Sequence, residues 1–474
     1  MTEQHPQPQA SHTTLAEEAG GDVSWAAPTP LRPLDATVTV PGSKSLSNRY
    51  LILAALSSQT VTIRGLLRSR DTSLMIQALE QLGVDIEGES SSSTTVRITP
   101  PRETRRVEGA PRFRGNVTIF CGLAGTVMRF LPALALFADG TVRFDGDPQA
   151  YERPMKPILD GLEQLGATVQ YHGRTGFLPF SVTPPEVIAH DEVSIDSSAS
   201  SQFISGLLLA ASSLPRGLRL HHTASALPSL PHINMTVADI AKAGGHVAVE
   251  QSAHVWKVAH HALQLPRSVT VEPDLSNAAP FLGAALLAQG SVRIPFWPKA
   301  TTQPGGLLPS ILERIGGSVD FPEEGGVRFC RVRSDGTIHG LGDFDLEAAG
   351  ELAPSIAALL TFADSETAMM GIAHLRGHET NRLAAMVREI RRVGGRAVET
   401  EDGVVIRPVE ASRLHGETIR SYHDHRMATF GAMLGLRIGG IQVENIETTG
   451  KTLPDFVAMW RNMLSYGHEN TKSE

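Results

Sequence analysis

The chain has 474 residues, 41% of them hydrophobic, and sets 42 Lys and Arg against 50 Asp and Glu for a formal charge of -8. That length exceeds one ordinary core and calls for two domains. The acidic balance, with no dense Lys/Arg cluster, excludes general nucleic-acid or anionic-membrane binding, and no continuous apolar run is long enough for a transmembrane helix.

Residues 1–30 are polar, rich in Gln, His, Pro and Ala, and lack the basic start and apolar run of a secretory signal. They are expected to be a disordered extension, as is the tail 467–474. Only Cys121 and Cys330 are present, so disulfides have no evident part and a reducing cytoplasm is the simplest setting.

Between those ends one composite unit recurs six times at intervals of roughly 75 residues, the signature of a repeat architecture. Each copy is a polar or glycine loop, then small apolar residues at helical length, then an alternating strand. The copies begin at Gly42, Gly122, Ser198, Asp274, Gly350 and Asp424. A second signature lies between copies, a helix ending in glycine before a strand: LEQLG before Val84 and again before Ala167, IAKAGG before His246, LERIGG before Ser318, IRRVGG before Arg396. Glycine there predicts the left-handed helix cap. Six units, each with two helices and several strands, predict an α/β fold grouped as two domains of three.

The leading helices, such as LILAAL, FISGLLLAA and FLGAALLA, are apolar almost all round and so should be buried. Their N-termini then present unpaired N–H groups to a shared cleft, a natural place for anions. Gly42, Gly122 and Gly125 are expected to let a ligand approach the backbone.

The loops ahead of those helices concentrate cations. The first, Pro41 to Arg49, holds three hydroxyls with Lys44 and Arg49; on its own it also fits an ordinary serine-capped helix, and it lacks the nucleotide P-loop spacing. Arg129, Arg153, Arg382, Arg426 and Lys451 stand at comparable positions later. Lys as a point charge and Arg as a planar fork are complementary means of holding phosphate and carboxylate. His378-Glu379 begins like a zinc-protease motif, but Arg382 stands where histidine is needed. His423 and His425 flank Asp424, yet Arg426 would repel a cation, so no metal is expected. Cys121 reads as a small buried residue rather than a nucleophile.

GSKSLSNR, GLAGTVMR, ERP at Glu152–Pro154, SSQF at Ser200–Phe203, HETNRL, DHRM and GKTLPDF occur in register over about residues 35 to 460. Together they resemble the enolpyruvyl transferases, and within that family the branch acting on shikimate 3-phosphate. The resemblance implies a two-domain inside-out α/β barrel with three βαβαββ-like units per domain. One lobe would be 31–42 plus 272–466 and the other 43–271, with crossovers near Gly42 and Glu272. It implies transfer of the carboxyvinyl group of phosphoenolpyruvate to the 5-hydroxyl of shikimate 3-phosphate, on the route to chorismate and aromatic amino acids. It further implies no cofactor, only small-molecule partners, a monomer, a cytoplasmic setting and inhibition by the herbicide glyphosate.

By the same resemblance, Lys44, Ser45, Arg49, Ser200, Ser201, Gln202, Ser229 and Glu351 hold the sugar-like substrate. Lys44, Gly125, Arg153, Gln202, Arg382, Arg426 and Lys451 meet phosphoenolpyruvate. Glu351 is the expected base, Glu379 the proton donor, Lys44 a bridge and His425 an assistant. The chain departs from the best-known bacterial pattern with Glu351 for aspartate, His374 for asparagine, His378 for lysine, His232 for tyrosine, Leu123 for asparagine and Phe130 for proline. Those changes put the substrate contacts of His374 and His378 in question, and His378 is expected to make binding depend on pH near neutrality. The rivals are the sister transferases using UDP-N-acetylglucosamine, which favour a different first loop and a mobile cysteine loop, and a non-catalytic binder of anionic metabolites. The binder would explain the cations but not the paired Glu351 and Glu379.

Overall fold

The computed structural model describes residues 24–88, 90, 93–101, 111–225, 227 and 229–465. The unit at residues 117–183 shows the repeated pattern. Strand Val117–Phe120 leads into helix Gly125–Phe130, which tightens into a 3-10 turn through Phe137 and is followed by strand Val142–Asp145, parallel to the first. Helix Lys156–Gln164 and the antiparallel strands Thr168–Tyr171 and Phe180–Thr183 complete it. In space the four strands lie in the order first, second, fourth, third, and the sheets at residues 192–258 and 342–407 repeat that order. The glycines after the second helices, Gly83, Gly166, Gly244, Gly316 and Gly394, all take φ between +82° and +122°, as the cap signature predicted.

Two sheets take their first strand from a distant part of the chain. Leu34–Thr37 pairs parallel with Gly290–Arg293, and Ser268–Thr270 pairs parallel with Thr62–Arg64. Where the chain crosses, Gly42 bridges Pro273, the Ser43 N–H donates to Glu272 O at 2.8 Å, and the Asp274 N–H donates to Pro41 O at 2.9 Å.

The apolar leading helices pack on one another at the centre with the sheets outside. Lys44–Leu56, Gly125–Phe130 and Gln202–Ala211 form one such trio; Ala279–Ala288, Ala353–Leu360 and His425–Leu434 form the other. Burying a helix on every side leaves only its N-terminus available for chemistry. The buried apolar residues accordingly fall in two clusters, one running from Leu46 to Val271, the other joining Trp25–Val40 to Leu275–Met463.

The expected disordered extension 1–30 is corrected at its end. Ser24–Ala26 forms a strand antiparallel to Gln442–Glu444, because Trp25 buries its ring edge-on against Phe456, 6.3 Å between centroids. Residues 1–23 and the tail 467–474 lie outside the described residues. Among the described residues no helix is long and apolar enough to cross a membrane.

Candidate active site

Helix Lys44–Leu56 starts at Ser43, whose hydroxyl caps the Leu46 N–H at 3.5 Å. That start carries Lys44, whose ammonium lies 3.6 Å from Asp71 and whose N–H points to Asp274 Oδ2 of the other lobe at 3.4 Å. Burial, then Lys451, lowers the Lys44 pKa against the raising fields of Asp71, Glu379 and Asp274. One turn later Arg49 is buried and already satisfied. It donates to Thr236 Oγ1 at 2.9 Å, Ser45 O at 3.1 Å and His232 O at 2.9 Å, and burial lowers its pKa to about 10.

Gly125 begins the second leading helix. A methyl added there would lie 3.0 Å from both Arg153 Nη2 and Gln202 Oε1. Arg153 is tied to Leu123 O at 2.9 Å, and desolvation lowers its pKa while Glu379 and Asp71 raise it. The other two glycines expected to face a ligand are corrected. A Cβ on Gly42 would sit 2.0 Å from Gly65 O and one on Gly122 2.7 Å from Leu74, so both serve close chain packing. The third leading helix begins with Ser200, Ser201 and Gln202; Ser229 precedes helix Leu230–Lys242 in a left-handed conformation at φ +56°.

The opposite lobe contributes two carboxylates set among cations. Glu351 accepts from Arg426 Nη2 at 2.7 Å and meets His232 Nε2, across the lobes, at 2.8 Å. Burial raises its carboxyl, but Arg426 and His232 outweigh that and hold it well below the usual range. Glu379 meets His425 Nδ1 at 2.9 Å and accepts from Lys451. Desolvation again opposes ionisation, and His425, Lys451 and Arg382 overcome it. The imidazole of His425 is pushed down by burial despite Glu379.

Arg382 feels both carboxylates, which are among the groups that raise its pKa. Its own buried partner is Asp424, 2.7 Å away, which also accepts the Arg426 N–H at 2.9 Å and so caps helix His425–Leu434. His374 and His378 lie next to each other, ring centroids 5.7 Å apart. Desolvation and then Arg382 push His378 down to about 3, which corrects the expected titration near neutrality: the imidazole is neutral there.

Lys44, Arg153, Glu379 and Arg382 thus share one electrostatic neighbourhood, and Glu351, Arg426, His232, His374 and His378 adjoin it. Motif reading missed Asp71, which follows no loop signature, and the partner roles of Asp274 and Asp424, which had appeared as the first residues of repeat copies. Glu379, Asp424 and His425 bring ligand atoms within 4.8 Å of one another, but their lone pairs are engaged by Lys451, Arg382 and each other. The cluster is therefore a set of ion pairs inside a positive field. Cys121 and Cys330 are buried, and burial pushes the Cys330 thiol up to about 12, out of reach of thiolate chemistry at neutral pH.

The family described as EPSP synthase (3-phosphoshikimate 1-carboxyvinyltransferase) matches residues 28–460. A 3-phosphoshikimate 1-carboxyvinyltransferase of Bifidobacterium longum (strain DJO10A) is 66% identical over 442 residues, spanning 93% of this chain and 98% of the relative. Two solved structures of EPSP synthase from Acinetobacter baumannii share the fold at TM-scores of 0.75 and 0.74, with 24% identity, 93% of this chain and 98% of theirs covered. With the motif order, the six-unit fold and the cluster of cations all in agreement with that match, the chain belongs to the EPSP synthase family.

Proposed function

We propose that this chain transfers the carboxyvinyl group of phosphoenolpyruvate to the 5-hydroxyl of shikimate 3-phosphate and releases phosphate, a step toward aromatic amino acids. The observation that carries the reading is a pair of carboxylates, Glu351 and Glu379, held ionised among Lys44, Arg153, Arg382, Arg426 and Lys451. Two substrates bearing phosphate and carboxylate need several cations in one cleft, each charge-assisted contact contributing about 1.5–3 kcal/mol.

Glu351 takes the 5-hydroxyl proton as that oxygen bonds to C2 of phosphoenolpyruvate, and the methylene carbon gains a proton from the side of Glu379. Elimination then removes a methyl proton, re-forms the double bond and expels phosphate from C2. Glu351 is already in the state a base requires. Glu379 is not yet an acid, because His425, Lys451 and Arg382 keep it ionised. Bound phosphate and carboxylate would offset those charges and raise its carboxyl, so substrate binding itself readies the donor. Lys44 and Arg153 hold the same anion, which supplies proximity and charge stabilisation. Ser45, Ser200, Ser201, Gln202 and Ser229, with His374 and His378, offer hydrogen bonds to the sugar-like acceptor.

Gly125 leaves the space beside Arg153 and Gln202 open, which supports competition by the phosphoenolpyruvate mimic glyphosate. Unchanged turnover in millimolar glyphosate, with unchanged apparent phosphoenolpyruvate affinity, would refute that part. The lobe boundaries 31–42 plus 272–466 and 43–271 are supported by the two apolar clusters, with the first lobe extended back to Ser24; the cytoplasmic setting is supported by two unpaired cysteines. A phosphate-release assay with phosphoenolpyruvate, offering shikimate 3-phosphate or UDP-N-acetylglucosamine in turn, tests the whole reading. Release is expected with the former alone; release only with the latter, or with neither, overturns it.

A further inference from the structure

Glu389 has no task in the mechanism above, yet its side chain is completely buried. A carboxylate is costly in such a place unless it is paired and hydrogen-bonded, so its partners show what it is kept for. Arg392, three residues on in helix Arg382–Arg392, donates to Oε2 at 2.8 Å. The other two donors belong to a distant stretch: the Arg420 N–H reaches Oε2 at 3.2 Å and the Tyr422 hydroxyl reaches Oε1 at 2.5 Å.

That stretch turns sharply. The Asp424 N–H donates to Ser421 O at 2.9 Å, closing a turn whose central residues, Tyr422 and His423, have φ of +54° and +55°. Two left-handed residues in succession make the mirror-image turn that ordinarily takes Asn, Asp or Gly, and a bulky side chain is strained there. The corresponding turn ahead of helix Gly125–Phe130, closed by the Ala124 N–H to Cys121 O at 3.1 Å, has Gly122 in the place of Tyr422, with φ +56°. A tyrosine standing where glycine would be free of strain is kept for its hydroxyl. Directly after the turn come Asp424, His425 and Arg426, the partners of Arg382, Glu379 and Glu351. Helix Arg382–Arg392 therefore grips this stretch twice, at its start through Arg382 and Asp424 and two turns later through Glu389.

We infer that Glu389 is a positioning residue: by accepting from Tyr422 and Arg420 it holds the 421–424 turn left-handed and so sets where His425 and Arg426 meet Glu379 and Glu351. The effect on activity rests on the reading of phosphoenolpyruvate as the ligand of Arg382 and Arg426; the effect on the turn does not. Without Glu389 the backbone at Tyr422 relaxes out of the left-handed region, and the competent arrangement becomes a minor one.

A crystal structure of Glu389→Met, which keeps the length and removes the acceptors, tests the turn by itself. Tyr422 should leave positive φ and Arg426 should lose Glu351; an unchanged turn overturns the inference whatever the activity. Phosphate release is then followed. If the wild type releases none, the substrate reading fails and the crystal structure alone decides the clamp. Otherwise kcat/KM for phosphoenolpyruvate should fall about 5–150-fold in Glu389→Met, the population cost of an unsupported left-handed residue. Calorimetric affinity for shikimate 3-phosphate should stay within about threefold, which separates a misplaced segment from a damaged fold. Tyr422→Phe, which loses only the hydroxyl, should show the same pattern more weakly. Adding Tyr422→Gly to Glu389→Met should bring kcat/KM back to within about fivefold of wild type, because glycine takes positive φ about as readily as negative. Wild-type kcat/KM in Glu389→Met, a parallel loss of shikimate 3-phosphate affinity, or no recovery with glycine overturns the inference. If Glu389→Met does not fold, wild-type kcat/KM in Tyr422→Phe does so.

Discussion

On the side of the site that packs with the apolar cluster running from Leu46 to Val271, Arg49, Arg129 and Arg153 have no carboxylate within ion-pair distance among the described residues, and Lys44 has only Asp71 at 3.6 Å. On the opposite face Arg382 is matched to Asp424, Arg426 to Glu351 and Lys451 to Glu379. The same residue types therefore do different work. Unmatched cations, held by hydroxyls and carbonyls, keep their attraction for an incoming anion. Matched cations spend theirs on a carboxylate and so set its protonation state. On the proposed function, binding falls to the first set of cations and proton transfer to the second, and the Glu351–His232 contact joins the two.

Removing Glu379, the proposed proton donor, should separate the faces most sharply. Glu379→Gln should cut turnover by about 10²–10⁴-fold while calorimetry still detects shikimate 3-phosphate, since general acid–base catalysis is worth that much. Intact turnover would place the proton elsewhere and erase the division. Next in size, Asp424→Asn leaves the Arg382 charge buried without its partner and should destabilise the fold by about 3–5 kcal/mol in urea unfolding. Burial favours the neutral Asp424 carboxyl, but Arg382 prevails and holds its pKa below the ordinary value. The pair's contribution is thus present above the ordinary carboxylate range and is lost as pH falls through the depressed value. The variant should lose that acid limb of the stability curve.

Gly125→Ala and Gly42→Ala form a smaller, paired test. A methyl at Gly125 meets the ends of two side chains, so phosphoenolpyruvate and glyphosate affinity should fall by about 1–3 kcal/mol with the fold unchanged. A methyl at Gly42 meets backbone 2.0 Å away, so stability should fall while any folded protein keeps its phosphoenolpyruvate affinity. Equal behaviour of the two would contradict their assignment. The mildest expected effect is a shift rather than a loss. His232→Leu removes one of the groups that favour the ionised Glu351, so the acid limb of the kcat/KM profile should move to higher pH. An unmoved limb would detach Glu351 from the role of base.

The features legible in the chain were local ones. The glycine that closes LEQLG marks a left-handed helix cap wherever the helix goes, and a helix as uniformly apolar as FLGAALLA can only be central. Gly42 and Gly125 look alike in their loops, yet what each faces depends on residues brought in by folding, Gly65 for one and Arg153 with Gln202 for the other. His378 was read with titration near neutrality in mind and Glu379 as the proton donor, whereas the protonation of each follows from Arg382, His425 and Lys451, charges up to 72 residues away. Asp71 carries no motif because its service to Lys44 needs only a carboxylate delivered by a neighbouring helix. Trp25 was hidden within a polar stretch, where a single aromatic residue sufficed to add a strand.

The exchange of strands near Gly42 and Pro273 also imposes an order of events during synthesis. Thr37, on a strand that needs the 290–293 segment, must wait for Arg293, which is 256 residues downstream. At about 5–20 residues per second that is a delay of roughly 13–50 s on the ribosome. Meanwhile everything from Gly42 to Thr270 has emerged and can assemble as a unit. The lobe translated first in part is the one completed last, and its early strand depends on the finished neighbour to bring its ends within reach of each other.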